Sequence, residues 1–387
     1  MKILGDSQIV LFDELFSHLG ETATYTGRTL TAEQLAGVDV LITRSTLSVD
    51  EALLQGSDVK FVGTCTIGTD HFDLDYLDAH NMAWTNAAGC NANAVAQYVL
   101  SAMAHLAPNW LHSTVGIIAC GNIGGRVYRR LKALGVNCCV YDPFLTPKDN
   151  PDLVSLEQVL QSDIITSHAP LTMSGEHPTF HLLGEQELEQ LRPNTVLISA
   201  GRGAVIDNQA LLRKLSNNKN IRVALDVWED EPNILSELIP LVDIATPHIA
   251  GHSIEGKTLG TVMVYESLCE FLLRPSPVDV SGITHSDKVP LIVKSTQTLS
   301  DNNGVISEDQ QRLNQLLLSV YPIMADDQRL RAWQTENLTP HRTMGEYFDY
   351  LRKTYPIRNE YSHFIFPAYT EQAPIDAWVN ALVDMPC

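Results

Sequence analysis

Residues 114–143, TVGIIACGNIGGRVYRRLKALGVNCCVYDP, place the strongest constraint on the fold of this chain. The apolar run VGIIAC is typical of a buried strand, RVYRRLKALG has the apolar spacing of an amphipathic helix, and NCCVYD is again typical of a strand. Between the first strand and the helix, Ala119, Gly121 and Gly124 occupy the three glycine positions of a dinucleotide-binding turn. This order predicts an α/β fold with a Rossmann-type, doubly wound parallel sheet.

The turn and the acid that follows it predict which nucleotide is bound. Gly121 lets the backbone approach a pyrophosphate, and Gly124 lets helix and strand pack closely. The helix N-terminus at Asn122 and Ile123 supplies positive potential. Asp142 ends the next strand, 21 residues after Gly121, where a carboxylate accepts hydrogen bonds from ribose hydroxyls and repels a 2′-phosphate. We therefore expect NAD rather than NADP, although a glycine turn alone also occurs in proteins that bind no nucleotide.

Three further segments have a short apolar run followed by polar residues, as parallel strands do when they deliver side chains to a site. They are VLISAGRGAVIDN (196–208), IRVALDVWEDEP (221–232) and VDIATPHIAGHS (242–253). These segments contain Arg202, Glu231 and His248, which we call the trio. Hydride transfer from a 2-hydroxy acid needs a cation for the carboxylate, a base for the hydroxyl proton and an acid beside the base. Each residue alone is more typical of a loop or a solvated surface, so the prediction depends on their order after the nucleotide turn.

Composition limits the other classes of function. The chain has 387 residues, 44% of them hydrophobic, which is enough for two or three domains with conventional cores. Its formal net charge of -20 argues against nucleic acid as a partner. The sequence lacks both a run of 18 apolar residues and a signal peptide, so we expect no membrane association and a cytoplasmic location. The seven cysteines have no metal-ligand spacing, so we expect reduced thiols and no metal site.

The order of predicted elements divides the chain into three regions. Residues 1–90 alternate strand and helix patterns, which predicts a second, smaller, flavodoxin-like sheet that binds substrate and is completed by a helix at 253–273. Residues 91–252 form the NAD-binding domain. The segment RPSPVDVSGITHSDKVP (274–290) is rich in Pro, Ser and Asp and leads into a separate C-terminal α+β domain, residues 281–387.

Residues 1–272 resemble the D-isomer-specific 2-hydroxyacid dehydrogenases through four motifs, the glycine-rich turn, GRGAVID, DVWEDEP and PHIAG. The resemblance implies an NAD-dependent dehydrogenase in which His248 exchanges the C2 hydroxyl proton and Glu231 pairs with His248. It also implies that Arg202 binds the substrate carboxylate through its bidentate guanidinium. The neighbouring Glu229 is expected to be an exposed charge.

The same resemblance assigns binding roles to four other residues. Asp226, which opens DVWEDEP, and Gly251 match contacts to the cofactor. Ser45 and Thr66 match contacts to the substrate from the first domain. Ser and Thr also commonly cap helices, so capping is the alternative for these two residues.

Six segments resemble one branch of the family more closely, and that branch acts on a small phosphorylated 2-hydroxy acid. They are MKIL (1–4), TRS (43–45), FVGTCTIGTDH (61–71), AAGCNANAVAQYV (87–99), HIAGHSIEGK (248–257) and EYFDYLRKTYPIRNEYS (346–362). The last segment resembles the signature of a C-terminal dimerisation domain. The resemblance therefore implies a homodimer that binds such an acid.

Three residues depart from the pattern of this branch. Ala119 stands where Gly is usual, Ala169 where a Thr that contacts the cofactor is usual, and His252 where a substrate-binding Tyr is usual. A protonated His252 is able to donate a hydrogen bond to a phosphate. Arg44 lies near the same predicted cleft, and local pairing is the alternative for it. These departures leave the reaction class intact and bear on the exact substrate.

Two other functions stay open at this point. One is a dehydrogenase of the same fold that acts on another acid, such as 3-phosphoglycerate, although the C-terminal EYFDYLRKTY segment argues against it. The other is a binding protein that senses NADH, as in the corepressor branch of the family, and an intact trio does not exclude it. Turnover separates the enzyme from the sensor.

Overall fold

The computed structural model describes residues 1–280, 283, 287–293, 306–335, 343–367 and 374–383. Within these residues the chain forms two compact units. The first unit contains residues 1–91 and the described part of 252–287, and the second contains residues 92–251 and the described part of 288–386. The first unit is therefore discontinuous in sequence.

The first unit is built on one parallel sheet. Its elements are β1 (Lys2–Asp6), α1 (Phe12–Phe16), β2 (Glu21–Tyr25), β3 (Val40–Thr43), α2 (Glu51–Leu54), β4 (Phe61–Thr64), α3 (Leu74–Ala79) and β5 (Ala83–Asn86). Within residues 1–91, all of them described, the strand order is β2-β1-β3-β4-β5, which is the flavodoxin-like order. The strands β3 and β4 are buried throughout, whereas β2 and β5 at the edges are partly exposed. The second, smaller parallel sheet predicted from the sequence is confirmed.

The second unit contains a larger parallel sheet. Its elements up to residue 251 are α4 (Ala92–Leu106), β6 (Thr114–Ile118), α5 (Asn122–Ala133), β7 (Asn137–Tyr141), α6 (Leu156–Val159), β8 (Ile164–Ser167), α7 (Glu185–Glu189), β9 (Val196–Ser199), α8 (Asn208–Asn217), β10 (Arg222–Leu225) and β11 (Ile244–Ala245). The strand order is β11-β10-β9-β8-β6-β7, and neighbouring strands are parallel. The order reverses beside β6, and in folds of this kind the carboxyl end of the strand at such a reversal is the usual ligand position. The predicted Rossmann-type doubly wound sheet is confirmed.

After β11 the chain returns to the first unit and then adds a C-terminal region to the second. The helix α9 (Ile254–Phe271) packs in the first unit, where Tyr265 meets Phe16 edge to face at 5.7 Å between ring centroids. The later described elements are β12 (Val289–Pro290), α10 (Glu308–Val320), α11 (Ile323–Thr335), α12 (Met344–Lys353), β13 (Phe364–Ile365) and α13 (Pro374–Val383). The helix α10 packs on α4, and the indole N–H of Trp110 donates to Asn314 at 2.8 Å. These helices share the core of the second unit.

Two properties of the described residues bear on membranes and thiols. None of the described helices combines the length and the apolar character that a membrane span requires. Six of the seven cysteines lie in the described part of the chain, and none of these six is in a disulfide. The seventh, Cys387, lies outside the described residues.

The turn between β6 and α5 has the backbone of a dinucleotide-binding turn, with strain at its first position. Ala119 has a φ of 65°, in the left-handed region, which disfavours an L-residue by about 1–2 kcal/mol. A Cβ atom at Gly124 would overlap the carbonyl oxygen of Ala119, so only glycine lets α5 approach this turn. Asp142, just after β7, accepts from the N–H of Cys120 at 2.8 Å and ties the turn to the next strand. The alanine at the first glycine position is therefore accommodated with strain.

Replacing Ala119 with Gly should stabilise the second unit. Relief of about 1–2 kcal/mol of left-handed strain exceeds the roughly 0.4–1 kcal/mol by which glycine favours the unfolded chain. We expect the free energy of unfolding to rise by about 1 kcal/mol in urea denaturation followed by circular dichroism. The matched control is Ala133→Gly, in helical backbone at the end of α5, which should lower stability by up to about 1 kcal/mol. A loss of stability in both variants would contradict the strain at Ala119.

Candidate active site

The members of the trio follow three neighbouring parallel strands. Arg202 lies three residues after β9, Glu231 six residues after β10, and His248 three residues after β11. The sheet places β9, β10 and β11 side by side, so the three residues leave the same edge of the sheet. The carboxyl end of β6, with its nucleotide turn, belongs to that edge as well.

The structure brings Glu231 and His248 into direct contact. The Nδ1 atom of His248 lies 2.6 Å from Oε2 of Glu231, and the N–H of Trp228 donates to Oε1 at 2.9 Å. Burial acts to raise the pKa of Glu231, but the charge and hydrogen bond of His248, with Arg352 and the Trp228 N–H, lower it below its ordinary value. Glu231 is therefore ionised at neutral pH. Because an ionised carboxylate only accepts hydrogen bonds, the Nδ1 atom of His248 carries a proton.

Asp226 holds the loop that carries His248. His248 has a φ of 54°, a left-handed backbone that is uncommon for residues other than glycine. The buried Asp226 carboxylate accepts from the N–H groups of Ile249 and Ala250, each at 2.8 Å. It also accepts from the hydroxyl of Thr246 at 2.6 Å. Burial raises the pKa of Asp226, and the charge of His248 and these three hydrogen bonds oppose that shift. All of these contacts are within the protein, and the cofactor contact of Asp226 stays a prediction.

Gly201 and Gly203, on either side of Arg202, allow the loop after β9 to pack closely against the neighbouring loops. A Cβ atom at Gly201 would come within 2.9 Å of the carbonyl oxygen of Ala169. One at Gly203 would overlap the carbonyl group of Trp228. The sequence GRG therefore lets the loops after β8, β9 and β10 close on one another. Arg202 itself is half-buried and donates to the carbonyl of Gly201 at 3.0 Å.

The turn between β6 and α5 has donors and space that fit a dinucleotide. A Cβ atom at Gly121 would meet no atom within 4 Å, so the backbone borders open space there. The helix α5 begins at Asn122 and continues through Ile123 and Gly124, and its first turn provides N–H donors and positive potential. Asp142 accepts two backbone N–H groups and, because a carboxylate offers about four acceptor positions, keeps capacity for ribose hydroxyls. These five residues suit a pyrophosphate and a ribose.

The remaining predicted binding residues lie beyond these loops. Gly251 lies three residues after His248 and is the last residue of the segment 92–251 in the second unit. Ser45, Thr66 and His252 belong to the first unit. Ser45 is exposed after β3, the hydroxyl of Thr66 lies 2.8 Å from that of Thr64, and His252 precedes α9. Their substrate contacts stay predictions.

Two charged side chains have partners that the sequence left open or missed. Arg44 pairs at 3.0 Å with the fully buried Asp6, 38 positions away, and its contact with a substrate phosphate stays a prediction. The expectation of an exposed charge at Glu229 is wrong, because Glu229 is half-buried and lies 2.7 Å from Nε2 of His181. The Nδ1 atom of the same ring lies 3.7 Å from Asp207. Among the described residues, His181, Asp207 and Glu229 place metal-ligand atoms within 4.8 Å of one another.

Trp228 and Thr246 were not predicted as site residues, yet both support the trio. Besides its backbone bond to Glu231, Trp228 donates its indole N–H to the carbonyl of Thr246 at 2.9 Å. Trp228 is 2% exposed, and a tryptophan inside the acidic segment DVWEDEP is a readable signal of burial. Thr246 gives no comparable signal, since threonine is common at strand ends for many reasons.

Comparison with known proteins places these features in a family. Residues 83–250 match the model of the NAD-binding domain of D-isomer specific 2-hydroxyacid dehydrogenases, and residues 297–376 match a domain of unknown function. The chain is 46% identical over 382 residues to an erythronate-4-phosphate dehydrogenase from Cellvibrio japonicus, with 99% of each chain covered. It is 44% identical over 384 residues to one from Teredinibacter turnerae, which covers 99% of this chain and 98% of that one.

Solved structures share the fold at lower identity. The NAD⁺-bound 3-phosphoglycerate dehydrogenase of Entamoeba histolytica has a TM-score of 0.62 at 22% identity, and the match covers 73% of this chain and 98% of that one. A D-2-hydroxyisocaproate dehydrogenase has a TM-score of 0.59 at 22% identity, with 70% and 97% covered. These structures support the fold, and the full-length relatives support the family. The chain belongs to the D-isomer specific 2-hydroxyacid dehydrogenases and, within them, to the erythronate-4-phosphate dehydrogenases.

Proposed function

We propose that the protein oxidises 4-phospho-D-erythronate to 3-hydroxy-2-oxo-4-phosphooxybutanoate with NAD, in the biosynthesis of pyridoxal 5′-phosphate. The name of the full-length relatives supports the substrate, and the match of residues 83–250 supports the cofactor. The observation that carries the proposal is the 2.6 Å contact between His248 and Glu231, at the sheet edge that also presents Arg202. An oriented base and a cation at one edge of a sheet suit oxidation of a 2-hydroxy acid.

His248 takes the hydroxyl proton of the substrate. Because Nδ1 donates to the ionised Glu231, the lone pair lies on Nε2, and this nitrogen accepts the proton from the C2 hydroxyl. The carboxylate of Glu231 then stabilises the imidazolium that forms. When the carbonyl is reduced instead, the same nitrogen returns the proton to the oxygen. Bound NAD supplies the hydride acceptor, so C2 loses a hydride and the hydroxyl becomes a carbonyl.

Arg202 binds the carboxylate next to the reacting carbon. Its guanidinium is able to form two parallel hydrogen bonds to a carboxylate, which fixes both position and orientation. The carboxylate and the hydroxyl are on adjacent carbons, so they need a cation and a base that leave one edge of the sheet. Holding both groups at once converts a random encounter into an aligned one.

Two groups of residues bind the two ends of the cofactor. Gly121, Asn122, Ile123 and Gly124 bind the pyrophosphate, with Asp142 on the ribose; the open space at Gly121 and the first-turn donors of α5 support this assignment. Asp226 and Gly251 serve the nicotinamide end, where Asp226 also holds the His248 loop.

The first unit supplies the contacts to the substrate's phosphate. Ser45, Thr66 and His252 carry hydroxyl and imidazole donors, which suit a phosphate dianion. Arg44 does not need to take part, because its charge is balanced by Asp6 at 3.0 Å.

We also propose a homodimer assembled through residues 281–387 and a cytoplasmic location. The dimer is supported by the likeness of residues 346–362 to a dimerisation signature. A closed dimer uses one self-complementary patch on each subunit, which a dedicated C-terminal region is able to supply.

Turnover on a panel of acids tests the proposed function. The protein is mixed with NAD and one of three acids, 4-phospho-D-erythronate, D-erythronate or 3-phospho-D-glycerate. NADH absorbance is followed at an enzyme concentration far below that of the acid and again at an enzyme concentration equal to it. We expect kcat/KM to be at least about tenfold higher for 4-phospho-D-erythronate than for plain erythronate, since each charge-assisted hydrogen bond contributes about 1.5–3 kcal/mol. Preference for 3-phospho-D-glycerate would favour the other dehydrogenase, and NADH binding without hydride transfer would favour the sensor.

His248→Asn tests the assigned base. Asparagine tolerates the left-handed backbone of His248 but has no titratable nitrogen, so kcat should fall by about 10²- to 10⁴-fold. NADH binding, measured by fluorescence titration, should be retained. His181→Asn is the matched control, because His181 also has a positive φ, 52°, and also pairs with a glutamate. The assignment of His248 is wrong if the two variants lose the same activity.

Asp142→Asn tests the cofactor preference. The amide keeps one acceptor for the turn but removes the charge that repels a 2′-phosphate, so the ratio of kcat/KM for NAD over NADP should fall. Asp149→Asn removes an exposed charge from the same loop and should leave the ratio unchanged. Equal use of NAD and NADP by the wild-type protein would contradict the role of Asp142.

A further inference from the structure

An arginine from the C-terminal region is buried against the loop that follows His248. Arg358 is 6% exposed, and its guanidinium donates to the carbonyl oxygens of Ile249, at 3.3 Å, and of Ala250. It also donates to the carbonyl of Ala94, in α4, at 3.0 Å. Ile249 and Ala250 are the two residues directly after the proposed base. Arg358 therefore joins the His248 loop to the interior of the second unit.

The same two residues are held from their N–H side by Asp226. Its carboxylate accepts from the N–H groups of Ile249 and Ala250 at 2.8 Å each. The N–H and C=O groups of both residues are thus bonded to charged side chains, Asp226 from the end of β10 and Arg358 from the C-terminal region. We call this arrangement the clamp. It is directly adjacent to a residue in strained backbone, and strained backbone persists only where the surroundings over-determine it.

The charge of Arg358 lies among an aromatic ring and a nearby carboxylate. Its guanidinium carbon lies 4.3 Å from the ring centroid of Tyr321. The hydroxyls of Tyr321 and Tyr355 both donate to Asp326, at 2.8 and 2.7 Å, so a buried carboxylate lies behind this ring. A buried charge is unfavourable unless it is paired and hydrogen-bonded. Three carbonyl oxygens, the face of the Tyr321 ring and the electrostatic attraction of Asp326 oppose this cost for Arg358, while Asp326 itself forms an ion pair with Arg329 at 3.5 Å.

We propose that Arg358 is a positioning residue for His248, so that the C-terminal region takes part in catalysis by fixing the loop of the base. This inference rests on the proposed function, because it takes His248 as the base. Arg358 acts through the backbone of residues 249 and 250 and does not touch the reacting atoms. The guanidinium is suited to this task, because a planar fork binds several carbonyls at fixed angles, whereas an ammonium is a compact point charge.

Arg358→Met tests the clamp by removing the donors while keeping much of the side-chain length. The matched control is Arg331→Met, because Arg331 also extends from the C-terminal region to backbone carbonyls of the second unit. It donates to Ile239 at 2.7 Å and to Val242 at 2.9 Å, and it pairs with Asp327 at 2.8 Å. Both variants should lose stability through the lost contacts.

Only Arg358→Met should lose the alignment of His248. We expect its kcat to fall by about 10- to 100-fold, the size of effect that a displacement of about 1 Å produces, while Arg331→Met stays near the wild type. In the His248→Asn background, Arg358→Met should lower the residual rate no further, because a positioning residue has nothing left to position. Equal losses in Arg358→Met and Arg331→Met, or additive losses in the double variant, would overturn the proposal.

The ring of His248 gives a second readout that needs no substrate. NMR of isotope-labelled histidine reports the tautomer and the titration of each imidazole, and the His248 signal is the one missing in His248→Asn. We expect Arg358→Met to change this signal, and Arg331→Met to leave it unchanged. A His248 signal that is identical in Arg358→Met and the wild type would overturn the clamp. The NMR comparison decides this even if the wild type oxidises none of the acids, so failure of the clamp and failure of the proposed function are distinct results.

Arg358→Lys keeps the test decisive if the Met variant does not fold. Lysine retains the charge but not the fork, so kcat and the His248 signal should both lie between those of the wild type and of a chain without the clamp. A lysine variant that matches the wild type in both measurements would overturn the proposal.

Discussion

The hydrogen bond between Glu231 and His248 is the interaction on which the chemistry of the site depends. It leaves the lone pair of the imidazole on Nε2, and it exists only while the loops after β10 and β11 keep their register. Neither loop is held by its own backbone alone. Trp228 bonds to both loops, through its N–H to Glu231 and its indole to Thr246. The pair therefore depends on buried contacts around it, and those contacts support the proposed catalytic role of His248.

Most of the sheet was readable from the sequence because its strands are buried on both faces. The strands β3, VLIT, and β9, VLIS, each begin with three apolar residues and are buried throughout, as is typical of parallel strands covered by helices. The edge strands β2, ETATY, and β5, AWTN, carry no such run, because edge strands with partly exposed side chains tolerate polar residues. Their pairing with β1 and β4 is decided by the fold of the whole unit. Local sequence is therefore most informative at the centre of a sheet.

The candidate site shows the same division between local and distant causes. The sequence singled out Arg202, Glu231, His248 and Asp142 because each follows an apolar run closely and the runs occur in a recognisable order. The pairing of Glu229 with His181 was not, because the two residues are 48 positions apart and a lone acidic residue usually lies at the surface. Arg358 is 109 positions from Ile249, and nothing near it in the sequence indicates that partner.

The burial of Arg358 bears on why this chain is longer than its fold requires. The match to one solved structure with the same fold covers 98% of that protein but 73% of this chain. The fold is therefore complete in a shorter protein. Residues beyond that minimum are expected at the surface or at a subunit contact, where a charged side chain keeps its hydration. Arg358 instead gives up its hydration to bind three backbone carbonyls, two of them beside His248. Such burial is stable only if the carbonyls keep their positions. The positions of the arginine and of the loop therefore depend on each other.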